Sequence, residues 1–310
     1  MRVSFSPSRI TTLLVIALLL MTHLFSPVSS AQSKDIARLE AQVKELILAS
    51  GAETVGVAFY DLARGSELLI NADENFHAAS TMKVPVMMET FRQASEGRLS
   101  LDEKITIKNE FTSIADQSHY SITPESDSET TLYKRLGEKE SIRELMRLMI
   151  TVSSNLATNI LIERVTAARV MGLMNQLGAK NIRVLRGVED GKAFEKGLNN
   201  STTARDLMIL LRLIAERKAV SPSASDEMVK VMLDQKFNEG IPAGLPAGAK
   251  VAHKTGSITR INHDAAIVLP PSRKPYVLVV LTRGIEEEKR AHRLIVDISR
   301  AIYEFVSRND

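Results

Sequence analysis

Residues 249–281 read AKVAHKTGSITRINHDAAIVLPPSRKPYVLVVL, and this stretch decides the fold class. It contains three β-like runs, Ala249 to Lys254, Ala265 to Leu269 and Tyr276 to Leu281, which are rich in β-branched and apolar residues. Pro270 to Lys274 supplies a turn between the last two runs. Strands joined by such short links pair antiparallel, so the stretch predicts one side of an antiparallel sheet.

The start of the chain adds two more strands. Thr54 to Tyr60 and Glu67 to Ile70 flank a glycine-containing turn, which predicts a hairpin. A helix capped by Ser33 and ended by Gly51 precedes this hairpin, and a final helix runs from about Glu286 to Ser307. The sheet is therefore expected to draw its strands from both ends of the chain.

The middle of the chain is helical. Ser141 and Glu144 have the spacing of a capping box at a helix start. Apolar periodicity predicts the other helices at about 80–94, from Leu156, and at 166–177, 203–216 and 224–233. The predicted class is α/β: a five-stranded antiparallel sheet flanked by helices (about 32–80 and 220–310), with an inserted all-helical lobe (about 81–219). A cleft is expected where the lobe meets the sheet.

The N-terminus predicts export. Residues 1–31 combine an early basic residue, the apolar run Leu13 to Met21 and the small residues Ser29 and Ala31, which is typical of a cleaved signal peptide. The mature protein, residues 32–310, is then expected in the periplasm or outside the cell without a stable membrane anchor. The chain contains no cysteine, which excludes disulfides and a cysteine nucleophile. Its net charge is +3 before cleavage, so no nucleic-acid partner is expected, and we expect a monomer.

Ser80-Thr-Met-Lys83 is the one S-x-x-K sequence in the chain. At a helix start, residues three apart share a face, so Lys83 is expected to hydrogen-bond the Ser80 hydroxyl. A serine needs such a base to act as a nucleophile at neutral pH. The alternative is a surface serine that caps a helix.

Two further triplets have chemistry that fits a nucleophilic serine. Lys254-Thr-Gly256 lies on a predicted strand, where Lys254 and Thr255 offer a cation and a hydroxyl to a substrate carboxylate. Gly256 leaves room for an extended substrate, and the Ser257 N–H could face the reacting carbonyl. Ser153-Ser-Asn155 lies between two predicted helices, where it could act on substrate or merely cap a helix.

The ordered trio S-x-x-K, S-x-N and K-T-G resembles the class A β-lactamase and penicillin-binding protein superfamily of serine hydrolases. The resemblance covers nearly the whole mature chain and includes the paired late strands around His253 to Ser257 and Asn262 to Val268. It implies an acyl-enzyme on Ser80, with Lys83 as its base partner and Ser153 as a proton shuttle. It also implies that the substrate is bound by Asn155, Lys254, Thr255, Gly256 and Ser257, and that the N–H groups of Ser80 and Ser257 form the oxyanion hole.

The sequence departs from this family's pattern at two places. Ser154 replaces the aspartate that usually stands between Ser and Asn of the middle motif. The loop that usually carries E-x-x-L-N lacks that motif, and Glu189 lies nearest to the position of its glutamate, which activates the deacylating water. Asp190 and Glu195 are the alternatives for that role, and an ordinary loop charge is a third. Arg186 and Asn200 are expected to tie the base of this loop.

These departures leave several functions open. The resemblance favours an exported β-lactamase acting on a small-molecule β-lactam, whereas the missing motif favours a D,D-peptidase-like enzyme acting on peptidoglycan peptides or a slow penicillin-binding sensor. The histidines show no metal-ligand spacing, so no metal or other cofactor is expected: His77, His119, His253, His263 and His292.

Overall fold

The structure, a computed structural model, describes residues 30–308. The predicted signal peptide, residues 1–31, lies outside the described residues except for its last two. The chain divides into units of residues 1–38 and 39–310. The described part of the first unit forms the beginning of helix α1 (Ser30–Ser50), and the second unit contains the sheet. Within residues 30–308, no helix has both the length and the apolar character needed to cross a bilayer.

A five-stranded antiparallel sheet forms the centre of the second unit, as predicted. Its strands are β1 (Thr54–Asp61), β2 (Glu67–Ile70), β9 (Lys250–Ile258), β10 (Ile261–Leu269) and β11 (Tyr276–Arg283). Their order is β2-β1-β11-β10-β9, so the N-terminal hairpin pairs with the last strand and β9 lies at an edge. Three two-stranded pairs lie between: β3 (Phe76–His77) with β8 (Ser201–Thr202), β4 (Lys104–Thr106) with β7 (Lys139–Ser141), and β5 (Phe111–Thr112) with β6 (His119–Tyr120).

The helices follow the predicted order with small shifts at their ends. They are α2 (Lys83–Ser95), α3 (Ile142–Thr151), α4 (Asn155–Val165), α5 (Ala167–Gln176), α6 (Gly191–Glu195), α7 (Ala204–Ala215), α8 (Pro222–Leu233) and α9 (Glu288–Arg308). Gly51, with a φ of +66°, follows α1 and ends it, because a residue with a Cβ rarely adopts this conformation.

Side chains from both faces of the sheet are buried. On one face, Val57 and Phe59 of β1 pack with the apolar side of α9, in a core that also contains Leu39 and Val43 of α1. On the other, alternate residues such as Ala58 pack with α7 and the helices of the middle segment. This alternation along each strand is why the late strands contain almost no charged residues on their buried stretches.

The capping box at α3 was half right. The Ser141 hydroxyl accepts a hydrogen bond from Glu144 N, as expected. The reciprocal bond does not form, because the Glu144 carboxylate pairs with Arg147 at 2.6 Å and Ser141 N donates to Glu140 Oε1 instead.

Candidate functional site

Two adjoining cavities meet at Ser80. One has a volume of about 410 Å³ and extends toward the segment 186–194, and the other has a volume of about 300 Å³ and extends along β9 toward α9. Ser80, Asn155 and Ser257 line both of them. The cleft therefore brings together the three sequence motifs, which lie far apart in the chain.

Ser80 stands on a sharp turn between β3 and α2. Ala79 has a φ of +45°, and residues Ala79–Met82 form a single 3₁₀ turn that continues directly into α2. The Thr81 hydroxyl donates to Ala78 O at 2.6 Å and Ala79 N donates to His77 Nδ1 at 3.1 Å, which stabilises the strained turn. The Ser80 Oγ makes no hydrogen bond within the described part of the chain, so the hydroxyl is available to a ligand.

Lys83 is fully buried beneath this turn. Its Nζ donates to Ser153 O at 2.6 Å, to Asn155 Oδ1 at 2.9 Å and to Ser153 Oγ at 3.2 Å. The expected Lys83–Ser80 hydrogen bond is therefore wrong for this state, because three acceptors on the α3–α4 turn occupy the ammonium group. Burial lowers the pKa of Lys83 to about 7, against the opposing effect of the Asp127 and Glu189 carboxylates.

Ser153 joins the two lysines of the site. It has a φ of +56°, and its Oγ lies 3.2 Å from Lys83 Nζ and 3.0 Å from Lys254 Nζ. Lys254 is also fully buried, and burial together with the nearby Lys83 charge lowers its pKa, while Asp264 acts in the opposite direction. The hydroxyl thus lies between two amines whose charged forms are both disfavoured, an arrangement through which a proton can be passed.

Asn155 is fixed at the first turn of α4. Its Nδ2 donates to Ser126 O at 2.9 Å while its Oδ1 accepts from Lys83. Ser154 caps α4 by accepting from Ala157 N at 3.2 Å, so the residue that replaces the usual aspartate does have the capping role that the sequence left open.

The loop that carries Glu189 is tied at its base, as predicted. Asn200 Oδ1 accepts from Leu185 N at 2.8 Å, and Asn200 Nδ2 donates to Arg186 O at 2.9 Å. Further along, the buried Asn159 side chain accepts from Val188 N at 2.6 Å and donates to Val188 O at 3.0 Å. These contacts fix the backbone immediately before Glu189.

Of the three candidate acids on this loop, Glu189 is the one whose carboxyl faces the catalytic groups. It has a φ of +60°, and its Oε1 lies 3.5 Å from Asn155 Nδ2. The residue as a whole is exposed at the cleft rim, yet partial burial of the carboxyl raises its pKa, with Lys83 and Arg186 opposing the shift.

Asp190 and Glu195 have other surroundings. Asp190 Oδ1 accepts from Ser113 Oγ at 2.7 Å and caps α6 through Ala193 N, so its carboxylate is occupied by structural contacts although the residue borders the cavity. Glu195 is exposed and does not line the cavities beside Ser80.

Gly256 has a different structural reason from the one expected. A Cβ at this position would lie 3.0 Å from Ser80 N and 3.1 Å from Thr81 N, so the glycine allows β9 to approach the Ser80 turn itself. Thr255 and the exposed Ser257 line the cleft on either side, and Ser257 Oγ donates to Asn262 Oδ1 at 3.0 Å.

Two residues of the cleft region were missed by the sequence reasoning. Asp127 accepts hydrogen bonds at the start of α4, and nothing in its spacing from Asn155 signals this contact. His77 lines the larger cavity, and burial lowers its pKa. Its position directly before the Ser80 turn was the available signal.

The comparisons with known proteins agree on one family. The model of the Beta-lactamase enzyme family matches residues 38–306. The extended-spectrum beta-lactamase PER-1 of Pseudomonas aeruginosa is 25% identical over 93% of this chain and 92% of its own length. A beta-lactamase of Bacteroides uniformis is 28% identical over 88% of this chain and 93% of its own length.

Solved structures give the same picture. The structure of PBP-A superposes with a TM-score of 0.76 and 29% identity, covering 87% of this chain and 96% of its own. An ancestral class A beta-lactamase superposes with a TM-score of 0.75 and 26% identity, covering 86% and 99% of the two chains. A PBP-A mutant solved as an acyl-enzyme complex with penicillin G is 30% identical over 88% of this chain and 97% of its own, with a TM-score of 0.76.

Proposed function

This chain belongs to the Beta-lactamase enzyme family, and on that premise we propose that it is a serine β-lactamase that hydrolyses the β-lactam amide through an acyl-enzyme on Ser80. The observation that carries the proposal is the convergence of Lys83, Ser153 and Lys254 beside an unoccupied Ser80 hydroxyl. Buried amines with lowered pKa values next to a free hydroxyl are the arrangement that an activated serine requires.

In the proposed acylation step, Ser80 Oγ attacks the lactam carbonyl carbon and gives its proton to neutral Lys83. Collapse of the tetrahedral intermediate breaks the carbon–nitrogen bond of the ring. The leaving nitrogen takes a proton from the Ser153 hydroxyl, which recovers one from Lys83 across the 3.2 Å contact. Because the pKa of Lys83 is about 7, about half of the enzyme has the neutral base at pH 7.

We assign substrate binding to the residues along β9 and at α4. Lys254 and Thr255 offer a cation and a hydroxyl to the substrate carboxylate, and the Asn155 amide contacts the substrate's side-chain amide. The backbone N–H groups of Ser80 and Ser257 form the oxyanion hole. The close approach of β9 to the Ser80 turn at Gly256 supports this pairing, since it holds the two N–H groups on facing elements.

Deacylation requires a base for the attacking water, and we assign that role to Glu189. Its contact with Asn155 Nδ2 places the carboxyl on the side of the larger cavity, which has room for a water beside Ser80. The raised pKa of Glu189 makes its carboxylate a stronger base than an exposed glutamate.

The location of the protein follows from the sequence and forms part of the proposal. The signal-peptide pattern of residues 1–31 supports export to the periplasm or beyond, where β-lactams meet their targets. We also propose that the mature protein works as a monomer, since all site residues come from one chain.

A penicillin-binding peptidase or sensor with slow deacylation is the second candidate. It is favoured by the absence of E-x-x-L-N and by the long 3.5 Å contact that is the one hydrogen bond of the Glu189 carboxylate within the described residues. A loosely fixed base would activate water poorly, and the acyl-enzyme would then persist.

Intact-mass spectrometry after mixing with benzylpenicillin tests the choice. We expect a Ser80 adduct that appears and then clears while penicilloate accumulates. An adduct that forms and persists would assign the protein to the second candidate, and the absence of any adduct would refute both.

Two variants make this experiment specific. Ser80→Ala should abolish the adduct, and labelling of that variant would refute the nucleophile. Glu189→Gln should form the adduct but retain it. Glu195→Gln is the matched control on the same loop, since its exposed carboxylate does not line either cavity, and it should behave as the wild type.

A further inference from the structure

We propose that Asp127 is a positioning residue for acylation: its carboxylate holds the α3–α4 turn, and through Asn155 it sets the place of Lys83. The inference rests on the proposed function and deepens it. The family's usual aspartate inside the middle motif is replaced here by Ser154, so a carboxylate from a different segment of the chain stabilises the turn.

The Asp127 carboxylate binds the start of α4 with both oxygens. Oδ1 accepts from Asn155 N at 2.9 Å and Oδ2 accepts from Leu156 N at 2.8 Å. Oδ2 also accepts from Tyr133 Oη at 2.9 Å and, more weakly, from Ser154 Oγ at 3.4 Å. A carboxylate is suited to this place because two adjacent N–H groups at the positive end of a helix require two acceptor atoms and favour negative charge.

The residues on either side of Asp127 hold the same turn. Ser126 O accepts from Asn155 Nδ2 at 2.9 Å, and the Ser128 hydroxyl donates to Val152 O at 2.5 Å. Three consecutive residues of one loop thus bind the turn before, within and after Ser153. This matters because Ser153, with its φ of +56°, adopts a strained conformation that persists only when its surroundings fix it.

The contact reaches the reacting groups in two steps. Asp127 fixes the backbone of Asn155, and Asn155 Oδ1 accepts from Lys83 Nζ at 2.9 Å. The Asp127 charge also acts on the ammonium directly, since it raises the pKa of Lys83 against the larger effect of burial. Glu189 acts on Lys83 in the same direction, and the charge of Lys254 is the positive group nearby.

Asp127→Asn tests the proposal. An amide has one acceptor oxygen, so it leaves one of the two backbone N–H groups unsatisfied and removes the charge. We expect the rate of Ser80 acylation by benzylpenicillin to fall by between about tenfold and about a hundredfold, as for small displacements of catalytic groups. The acid limb of its pH profile should move to lower pH.

Two matched variants separate positioning from general damage. Glu125→Gln removes an exposed negative charge from the same loop and should leave the rate and profile unchanged. Asp127→Asn combined with Ser154→Asp returns a carboxylate to the turn from inside the motif. We expect this pair to recover most of the lost acylation rate, which a merely destabilised loop would not do.

A readout independent of activity keeps the test apart from the proposed function. Titration of the Lys83 side-chain NMR signal should give a lower pKa in Asp127→Asn than in the wild type or in Glu125→Gln. If the wild type forms no penicillin adduct, the proposed function fails while this titration still tests the contact. An unchanged Lys83 titration in Asp127→Asn, or an unchanged acylation rate in a labelled enzyme, would overturn the proposal.

Discussion

The rate of Ser80 acylation should fall as the pH drops below about 7, because neutral Lys83 is the proposed base and its pKa is about 7. One pH unit below the pKa, about one-tenth of the enzyme has a neutral base, and two units below, about one-hundredth. We therefore expect a slope of about tenfold per unit between pH 6 and pH 5 and a plateau above pH 8.

Single-turnover stopped-flow with excess enzyme and a chromogenic cephalosporin measures this step separately from deacylation. The buffers should have constant ionic strength from pH 5 to pH 9. Lys83→Arg is the matched variant, because a guanidinium retains the charge and cannot give up its proton in this range. It should acylate poorly at every pH.

Glu189→Gln provides an internal check on the same profile. The Glu189 carboxylate raises the pKa of Lys83, so its neutralisation should move the midpoint to lower pH while acylation itself persists. A rate in the wild type that stays flat from pH 8 down to pH 5 would refute Lys83 as the base. Loss of acylation in Glu189→Gln would instead make the glutamate the base for both steps.

Three further substitutions have outcomes that the structure sets. Gly256→Ala should slow acylation by about tenfold or more, measured by adduct formation, because the new Cβ would lie 3.0 Å from Ser80 N and displace the turn. Asn159→Ala should prolong the acyl-enzyme lifetime in the mass experiment, since the backbone before the deacylating glutamate loses its clamp; unchanged turnover would contradict this. Arg273→Ala should lower the free energy of unfolding in urea by about 3–5 kcal/mol and leave labelling intact, because it strands the buried Asp61 carboxylate.

The sheet and most helices could be predicted because their signals are local. The late strands have continuous apolar runs, and Gly51 and Ser141 mark helix ends by their own backbone preferences. The association of the three motifs was also predictable, since their order along the chain, together with the element that carries each one, constrains where they can meet.

The contacts that the sequence could not give are those between segments far apart. Asp127 reaches Asn155 from 28 residues earlier, through a loop whose composition predicts only that it is polar. The Lys83 amine was expected at Ser80 because of helical spacing, yet it binds a turn about 70 residues away, where three acceptors satisfy a buried ammonium better than one hydroxyl can. The reason for Gly256 likewise depends on a neighbouring element, not on its own strand.

The central position of β11 has a consequence for how this chain folds. β11 lies between β1 and β10, and its pairing with β1 joins residues as far apart as Thr54 and Arg283, which are separated by 229 positions. Until Tyr276 to Arg283 have been synthesised, β1 and β2 form a lone hairpin, and a lone hairpin is at best marginally stable in water. Such non-local pairing gives a high contact order, for which folding is slow and loop closure must precede the favourable contacts. A nascent chain of this topology therefore acquires its sheet late and in one concerted event, not progressively from its N-terminus.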